Sequence, residues 1–436
     1  MKNRNKLVLG SLLIGLFVFS IGIWMNAKQI HHTAYKNQEN HFIKETEEYE
    51  MMSFEEYLGE DINLLKEKDQ KNLKALYKKV IEKEKEEKFD EADGLWDQFD
   101  HSLRQAGIAV PFKDFYDFAE SIKNKLKEED FHQINRIYTE IEKLNEKLGI
   151  PDSEEKQEEI EQEIENLWSQ IEEILKPLGY DLDELLDHVE NRNVLIALYD
   201  VKNGNINYKP INNHTIKELS KEDIQKHQDI WERSKKLIPA SYLGRIVSFE
   251  MNTDGKENVL AHVNSPDESN KIWRLAVDIK DVFGKNGKFT KEFDQTLIHE
   301  FGHILTLNDS QMMKERNENS ATYTTDEGTT KTQAYLNQFY NKFWKGIHKE
   351  WEKANQAEVD EYGENQAILD FYEKYKDQFV SDYAATNPEE DIAESFRVFI
   401  TEKKPKGKTV EQQKILFFYQ FKELVKMREE MRLNLK

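Results

Sequence analysis

The chain has 436 residues, of which 62 are Lys or Arg and 84 are Asp or Glu, so its formal net charge is −22. This length suggests two or three domains, and the sequence has no basic excess to neutralise phosphates, which argues against nucleic-acid binding. The absence of cysteine excludes disulfides, thiolate catalysis and cysteine-ligated metal sites. Proline (8) and glycine (18) are scarce, which favours long helices over many short strands.

The N-terminus carries an apolar run behind a positively charged flank. Lys2, Arg4 and Lys6 precede residues 7–25, which contain no charged side chain. At 1.5 Å per residue a helix of this length nearly spans the bilayer hydrocarbon, and the positive flank is expected to stay in the cytoplasm. Residues 1–29 are therefore predicted to form a signal anchor in the cell membrane that leaves the body of the protein extracytoplasmic. The alternative is a signal peptide cleaved after Ala27 and a secreted product.

In the region 30–190, residues 30–60 are polar and predict a linker or a frayed helix, and residues 61–190 show the pattern of amphipathic helices. Segments 68–88 and 154–175 place apolar side chains at steps of three and four, and most of the remaining surface of the second segment is glutamate. We predict a helical bundle or a coiled-coil-like hairpin with solvated acidic faces. The sequence leaves open whether this region is a pro-region, a spacer or a partner-binding surface.

The pattern changes to strands and then back to helices after residue 190. Segment 193–211 predicts strand with a turn at 203–205, segment 241–265 predicts a hairpin that turns at 253–255, and segment 272–282 alternates like a strand. This order predicts an α+β domain over residues 191–436. Two further predictions are a mobile loop at 309–332 and one helix over residues 410–434.

A metal-binding motif follows the strands. Residues 291–309 contain the pattern H-E-x-x-H as His299, Glu300 and His303. The spacing puts both imidazoles on one side of a helix, one turn apart, where they can share a metal ion, while Glu300 can deprotonate a metal-bound water. Apolar side chains on another face of the same helix can pack into the core. Two surface histidines on a core helix are the alternative.

A tetrahedral zinc site needs a third protein ligand, which without cysteine must be His, Asp or Glu. The motif lacks the H-x-x-G-x-x-H extension, and His348 lies in a highly charged stretch, which predicts a surface position. Glu390 and Glu394 lie one turn apart on a helix that the sequence Asn387-Pro388 predicts to start there. One glutamate on the metal and the other orienting a ligand histidine would fit this spacing.

Together the two motifs resemble the gluzincin type of zincin (HExxH) metallopeptidase, most closely the catalytic domain of the anthrax lethal factor family. In that family H-E-F-G-H is followed by Y-x-x-T-N-x-x-E-x-x-A-E-x-F. The corresponding residues of this chain are Tyr383, Thr386, Asn387, Glu390, Ala393, Glu394 and Phe396.

The resemblance implies a role for each matched side chain. It implies one zinc ion held by His299, His303 and Glu390, with Glu394 behind the ligands. It implies Glu300 as general base and Tyr383 as hydrogen-bond donor to the oxyanion. The implied fold is a zincin-like domain with a small mixed sheet.

The expected function is extracytoplasmic, zinc-dependent hydrolysis of peptide bonds in a protein or peptide substrate. In zincin-like folds an edge strand aligns the substrate, and residues 274–279 are the predicted strand. The competing hypothesis is a surface binding or scaffolding protein whose zinc site is structural or vestigial.

Overall fold

The computed structural model describes residues 52–86, 88–148, 154–190, 192–210, 219–255, 259–267, 269–284, 286–317, 319–357 and 365–435. The predicted membrane segment, 7–25, lies outside these ranges. Within them, no helix combines the length and the apolar character needed to cross a membrane.

The N-terminal half of the described chain is helical. Its helices are α1 (Phe54–Leu58), α2 (Glu67–Lys85), α3 (Phe89–Gln105), α4 (Phe115–Ser121), α5 (Glu128–Leu148), α6 (Glu154–Leu175) and α7 (Leu182–Glu190). They enclose two apolar clusters, one between α2 and α3 and the other between α4, α5 and α6. The helices predicted from 68–88 and 154–175 are confirmed, because their apolar stripes are the faces that these clusters bury.

A five-stranded mixed sheet follows. Its strands are β1 (Val194–Lys202), β2 (Asn205–Lys209), β3 (Ile246–Thr253), β4 (Ala261–Asn264) and β5 (Trp273–Asp278), in the order β2-β1-β3-β5-β4. Strands β3 and β5 are parallel, and the other neighbours are antiparallel. The α+β class and the turn between β1 and β2 are therefore confirmed.

Two predictions about the sheet are wrong. The hairpin predicted over 241–265 does not form, because β4 passes to the outer side of β5 and pairs there instead of folding back on β3. As a result, the strand that contains residues 274–278 is internal, and β4 is the edge strand on that side of the sheet, opposite the other edge strand, β2. Alternating apolar residues indicate which face of a strand is buried, but they do not specify its neighbour.

The rest of the chain is mainly helical and packs on one face of the sheet. It comprises α8 (Lys221–Leu237), α9 (Ala240–Leu243), α10 (Lys291–Leu307), β6 (Thr324–Thr325), β7 (Gly328–Thr329), α11 (Tyr335–Phe339), α12 (His348–Asn355), α13 (Gln366–Tyr375), α14 (Pro388–Thr401), α15 (Val410–Phe418) and α16 (Lys422–Asn434). The large core cluster joins the sheet to α10, α14 and α15.

Two segments of this part differ from the prediction. The loop predicted at 309–332 contains the β6–β7 hairpin, whose Thr325 and Thr329 are buried. The single C-terminal helix is interrupted between Phe418 and Lys422. Helix α15 has buried side chains on several of its sides, including that of Lys414. The chain therefore bends after α15, and α16 can then bury its own apolar side chains against the same core.

A buried histidine makes the stability of this domain depend on pH. His227 of α8 is fully buried, and its Nδ1 lies 2.7 Å from the hydroxyl of Tyr199 on β1. Burial lowers the pKa of His227 from 6.5 to about 4. Because the folded state favours the neutral ring, this contribution is complete above pH 6.5 and is lost as the pH falls from 6.5 towards 4, by about 3 kcal/mol in total.

We therefore expect the free energy of unfolding, measured by urea titration, to fall less over this pH range in His227→Gln than in the wild-type protein. His132→Gln, which changes an exposed histidine, is the control and should follow the wild type. Equal pH dependence in all three proteins would contradict the prediction.

Candidate metal centre

The candidate centre lies where α10 crosses α14, next to strand β4 of the sheet. Helix α10 begins at the N-cap Thr290, whose hydroxyl accepts a hydrogen bond from the N–H of Phe293 at 3.1 Å. One of its faces is fully buried in the core, as predicted (Phe293, Leu297, Phe301 and Ile304). This packing fixes the rotation of the helix about its axis, and therefore the direction in which its two histidines point.

Helix α14 carries the acidic partners of these histidines. The side chain of Asn387 caps the helix by accepting a hydrogen bond from the N–H of Glu390 at 2.7 Å, and Pro388 occupies the first turn. The helix start predicted from Asn387-Pro388 is therefore confirmed. A Cβ atom on Gly302 of α10 would lie only 3.1 Å from Cα of Ala393 on α14. Glycine is thus what allows the two helices to approach closely enough for their polar side chains to meet.

Three ligand-type atoms converge at the crossing. The Nε2 atoms of His299 and His303 lie 3.0 Å apart, and Oε2 of Glu390 lies 3.0 Å from the first and 3.4 Å from the second. All three side chains are largely buried. This places His299, His303 and Glu390 together, although 86 residues separate His303 from Glu390 in the sequence.

The electrostatics of these atoms fit a bound cation. Burial lowers the pKa of His299, but the carboxylates of Glu390 and Glu394 outweigh burial and raise it to about 10. Burial acts in the opposite direction on Glu390, and His303 and His299 nevertheless hold its pKa well below the usual range. Oε2 of Glu390 is buried, and within the described part of the chain no well-aligned hydrogen bond reaches it. The carboxylates of Glu390 and Glu394 thus stabilise a positive charge at His299.

Glu394 holds the first histidine from behind. Its Oε1 lies 3.0 Å from Nδ1 of His299, the ring nitrogen opposite the one in the cluster. Arg397 donates to both of its oxygens at 2.8 Å, and Ser381 Oγ donates to Oε2 at 2.7 Å. Such a carboxylate fixes the ring orientation and the tautomer of a ligand histidine.

The sequence left the roles of Glu390 and Glu394 open, and the geometry places Glu390 beside both histidines and Glu394 beside His299. It also adds two residues that sequence reasoning missed. Arg397 could have been found from its spacing of three residues after Glu394, which places both on one helix face. Ser381 precedes the helix and has no such signal.

Glu300 connects the site to the edge strand. Its Oε2 accepts a hydrogen bond from the N–H of Val263 on β4 at 3.0 Å, and the side chain is 8 % exposed. Burial raises the pKa of Glu300, while the neighbouring His299 and His303 lower it. The net shift of the Glu300 pKa is upward.

Tyr383 lies beside the cluster. Its ring centroid is 5.8 Å from that of His299, and the residue is 54 % exposed. Burial on its inner side, followed by the charges of Glu390 and Glu300, raises its pKa. The phenol is therefore protonated at neutral pH and can donate a hydrogen bond.

The chemistry of the donors suits zinc. Two imidazole nitrogens and one carboxylate oxygen are a typical ligand set for catalytic zinc, with metal–ligand bonds of about 2.0–2.2 Å. The separations of 3.0 to 3.4 Å between the three atoms are compatible with bonds of that length to one central ion. If no ion is bound, the facing Nε2 atoms of His299 and His303 place two lone pairs, or one shared proton, in a buried site.

The prediction that His348 is a surface residue is wrong. Its side chain is 14 % exposed and is enclosed by aromatic rings, of which Tyr340 and Trp351 have centroids at 5.0 and 5.2 Å. Trp344, His348 and Trp351 recur at helical spacing, a signal of burial that the surrounding charges obscured. Burial lowers the pKa of His348, so this ring is a neutral packing group.

Comparison with protein-family models, with curated proteins and with solved structures finds no match to this chain. A functional assignment therefore depends on the residues of the site and on the chemistry that they permit.

Proposed function

We propose that the chain is a zinc-dependent metalloendopeptidase of the gluzincin type, with a zincin-like catalytic domain over residues 191–436 similar to that of the lethal factor family. The observation that supports this most directly is the convergence of His299, His303 and Glu390 on one point, with Glu300 beside them. A carboxylate placed like that of Glu300 has no role in a purely structural zinc site, because four protein ligands fill such a site and leave no position open for water.

In the proposed mechanism His299, His303 and Glu390 would hold a zinc ion. When bound, zinc would supply Lewis acidity and lower the pKa of water towards neutrality. Glu300 accepts the proton of the attacking water on a carboxylate oxygen and delivers it to the leaving amine. The Tyr383 hydroxyl donates a hydrogen bond to the developing oxyanion, and Glu394 keeps the His299 ring in its orientation.

Strand β4 is the proposed support for an extended substrate. The N–H of Asp278 bonds to the carbonyl of Leu260, so alternate residues of β4 point their backbone groups away from β5. The outward N–H of Val263 is bound to Glu300. A substrate that adds to this edge would run past Glu300.

We further propose that segment 7–25 anchors the protein in the cell membrane with the catalytic domain outside the cytoplasm, or is cleaved to release it. Its uncharged length and the preceding Lys2, Arg4 and Lys6 support this. A protein or peptide on that side of the membrane would be the substrate.

Metal removal tests the proposed function. We expect the full-length protein, purified in detergent, to contain about one zinc ion per chain and to cleave peptides of a mixed-sequence library. A chelator should abolish cleavage, and a stoichiometric amount of zinc should restore it. Mass spectrometry of the products measures both. Bound zinc without any cleavage would favour the scaffolding hypothesis, and cleavage that resists the chelator would contradict a zinc enzyme.

A further inference from the structure

A second group of acidic side chains lies at the C-terminal ends of β3 and β5. Asp254 follows β3, Asp278 ends β5, and Asp281 comes three residues later. One carboxylate oxygen of each lies within 4.8 Å of the others. The two strands are parallel and pair Asn252 with Asp278, so their ends meet at the same edge of the sheet.

This group is buried and held by the backbone. Asp254 is 7 % exposed and Asp278 is 1 % exposed, while Asp281 is half-buried. The two oxygens of Asp278 accept hydrogen bonds from the N–H groups of Asp254 and Lys280, each at 2.7 Å. Oδ2 of Asp254 accepts one from the N–H of Val259 at 3.0 Å. Asp254 and Asp278 are therefore held next to each other by backbone hydrogen bonds of the turn.

The other oxygen of Asp254 is the unexplained feature. Oδ1 is buried, and no group of the described residues forms a hydrogen bond with it. Burial, followed by the charge of Asp278, raises the pKa of Asp254 to about 8. With both groups ionised, an unpaired buried carboxylate oxygen beside a second carboxylate is costly, and the raised pKa of Asp254 reflects that cost. A positive charge between the two groups would remove that cost.

We propose that Asp254, Asp278 and Asp281 bind one Ca²⁺ ion, at a site separate from the zinc ligands. The donors are all carboxylate oxygens, which suit hard cations, whereas the imidazole set at the other centre suits zinc. Ca²⁺ takes six to eight oxygens at about 2.3–2.6 Å in flexible geometry, so backbone carbonyls and water can complete its shell. Mg²⁺ demands stricter octahedral geometry and gives up its water reluctantly. A site in which the backbone already fixes two of the three carboxylates, those of Asp254 and Asp278, suits it less well.

The site lies at the contact between the helical region and the sheet. Lys280, between two of the ligands in sequence, forms an ion pair with Asp61 at 2.7 Å. The ring of Pro111 lies 3.4 Å from the position that a Cβ would take on Gly255. An ion that fixes the ends of β3 and β5 would therefore also fix the surface on which the helical region packs.

The test uses the full-length protein in detergent, stripped of divalent ions. Calcium chloride is titrated by isothermal calorimetry, and thermal unfolding is followed with calcium or magnesium present. We expect one Ca²⁺ per chain and, at saturation, a rise in Tm of about 5 °C that magnesium reproduces only weakly. Asp254→Asn and Asp281→Asn should lose both the binding and the rise. Asp229→Asn, which changes an exposed carboxylate on α8, should retain both.

Two results would overturn the proposal. One is the absence of a calcium-dependent rise in Tm in the wild-type protein. The other is an equal rise in the Asp254→Asn, Asp281→Asn and Asp229→Asn proteins, which would reveal a general counter-ion effect on a chain of charge −22. If Asp254→Asn does not fold, the half-buried Asp281→Asn variant decides the outcome. Neither readout depends on peptidase activity, so the result stands whether or not the zinc proposal holds.

Discussion

Replacing Glu300 with glutamine is expected to lower kcat for peptide hydrolysis by about 10³-fold while about one zinc ion per chain stays bound. Glutamine keeps the size of the side chain and an acceptor oxygen for the N–H of Val263, which Glu300 binds at 3.0 Å. It cannot accept the proton of the attacking water. The three proposed ligands are unchanged, so the affinity for zinc should change little. Single-turnover hydrolysis and metal analysis of the same sample measure the two effects.

The matched control is Glu292→Gln, which changes an exposed glutamate in the first turn of the same helix. It should leave kcat and zinc content close to the wild-type values. Full activity in Glu300→Gln would contradict the proposed role of this residue as a general base. Loss of zinc together with activity would indicate that Glu300 acts on the ligands rather than on water.

The second large effect is expected on stability. Replacing Lys414 with methionine should lower the free energy of unfolding by about 3–5 kcal/mol. Lys414 of α15 and Asp391 of α14 are both fully buried and form an ion pair at 2.5 Å. The indole N–H of Trp344 also donates to Asp391, at 2.7 Å. Without the ammonium group, Asp391 remains as a charge in the core with too few partners.

Urea denaturation of Lys414→Met and of the control Lys426→Met measures this effect. Lys426 and Glu430 form an exposed pair on α16, and such pairs contribute less than about 1 kcal/mol. Asp391 follows Glu390 directly on the helix, so Lys414→Met should also weaken zinc binding. Equal stability of the two variants would show that the buried pair is replaceable by an apolar contact.

The helices of the candidate centre could be predicted because their signals are local. The stripe that includes Phe293 and Phe301 predicted a buried face on α10, and Asn387-Pro388 predicted the start of α14. Four-residue spacing is enough to place two histidines on one helix face. These features depend on backbone geometry within one or two turns, which neighbouring residues determine.

The sequence by itself therefore determined the helical N-terminal half, the α+β class of the second half and the alignment of His299 with His303. Only the tertiary structure decided that β4 is the edge strand, that Glu390 meets both histidines while Glu394 supports one of them, and that Asp254 faces Asp278. Each of these contacts joins segments that are distant in the chain or separated by a turn. Which residues meet in these contacts depends on how whole helices and strands pack against one another, through close approaches such as that of Gly302 to Ala393. The periodicity of apolar residues within a single segment carries no information about that packing.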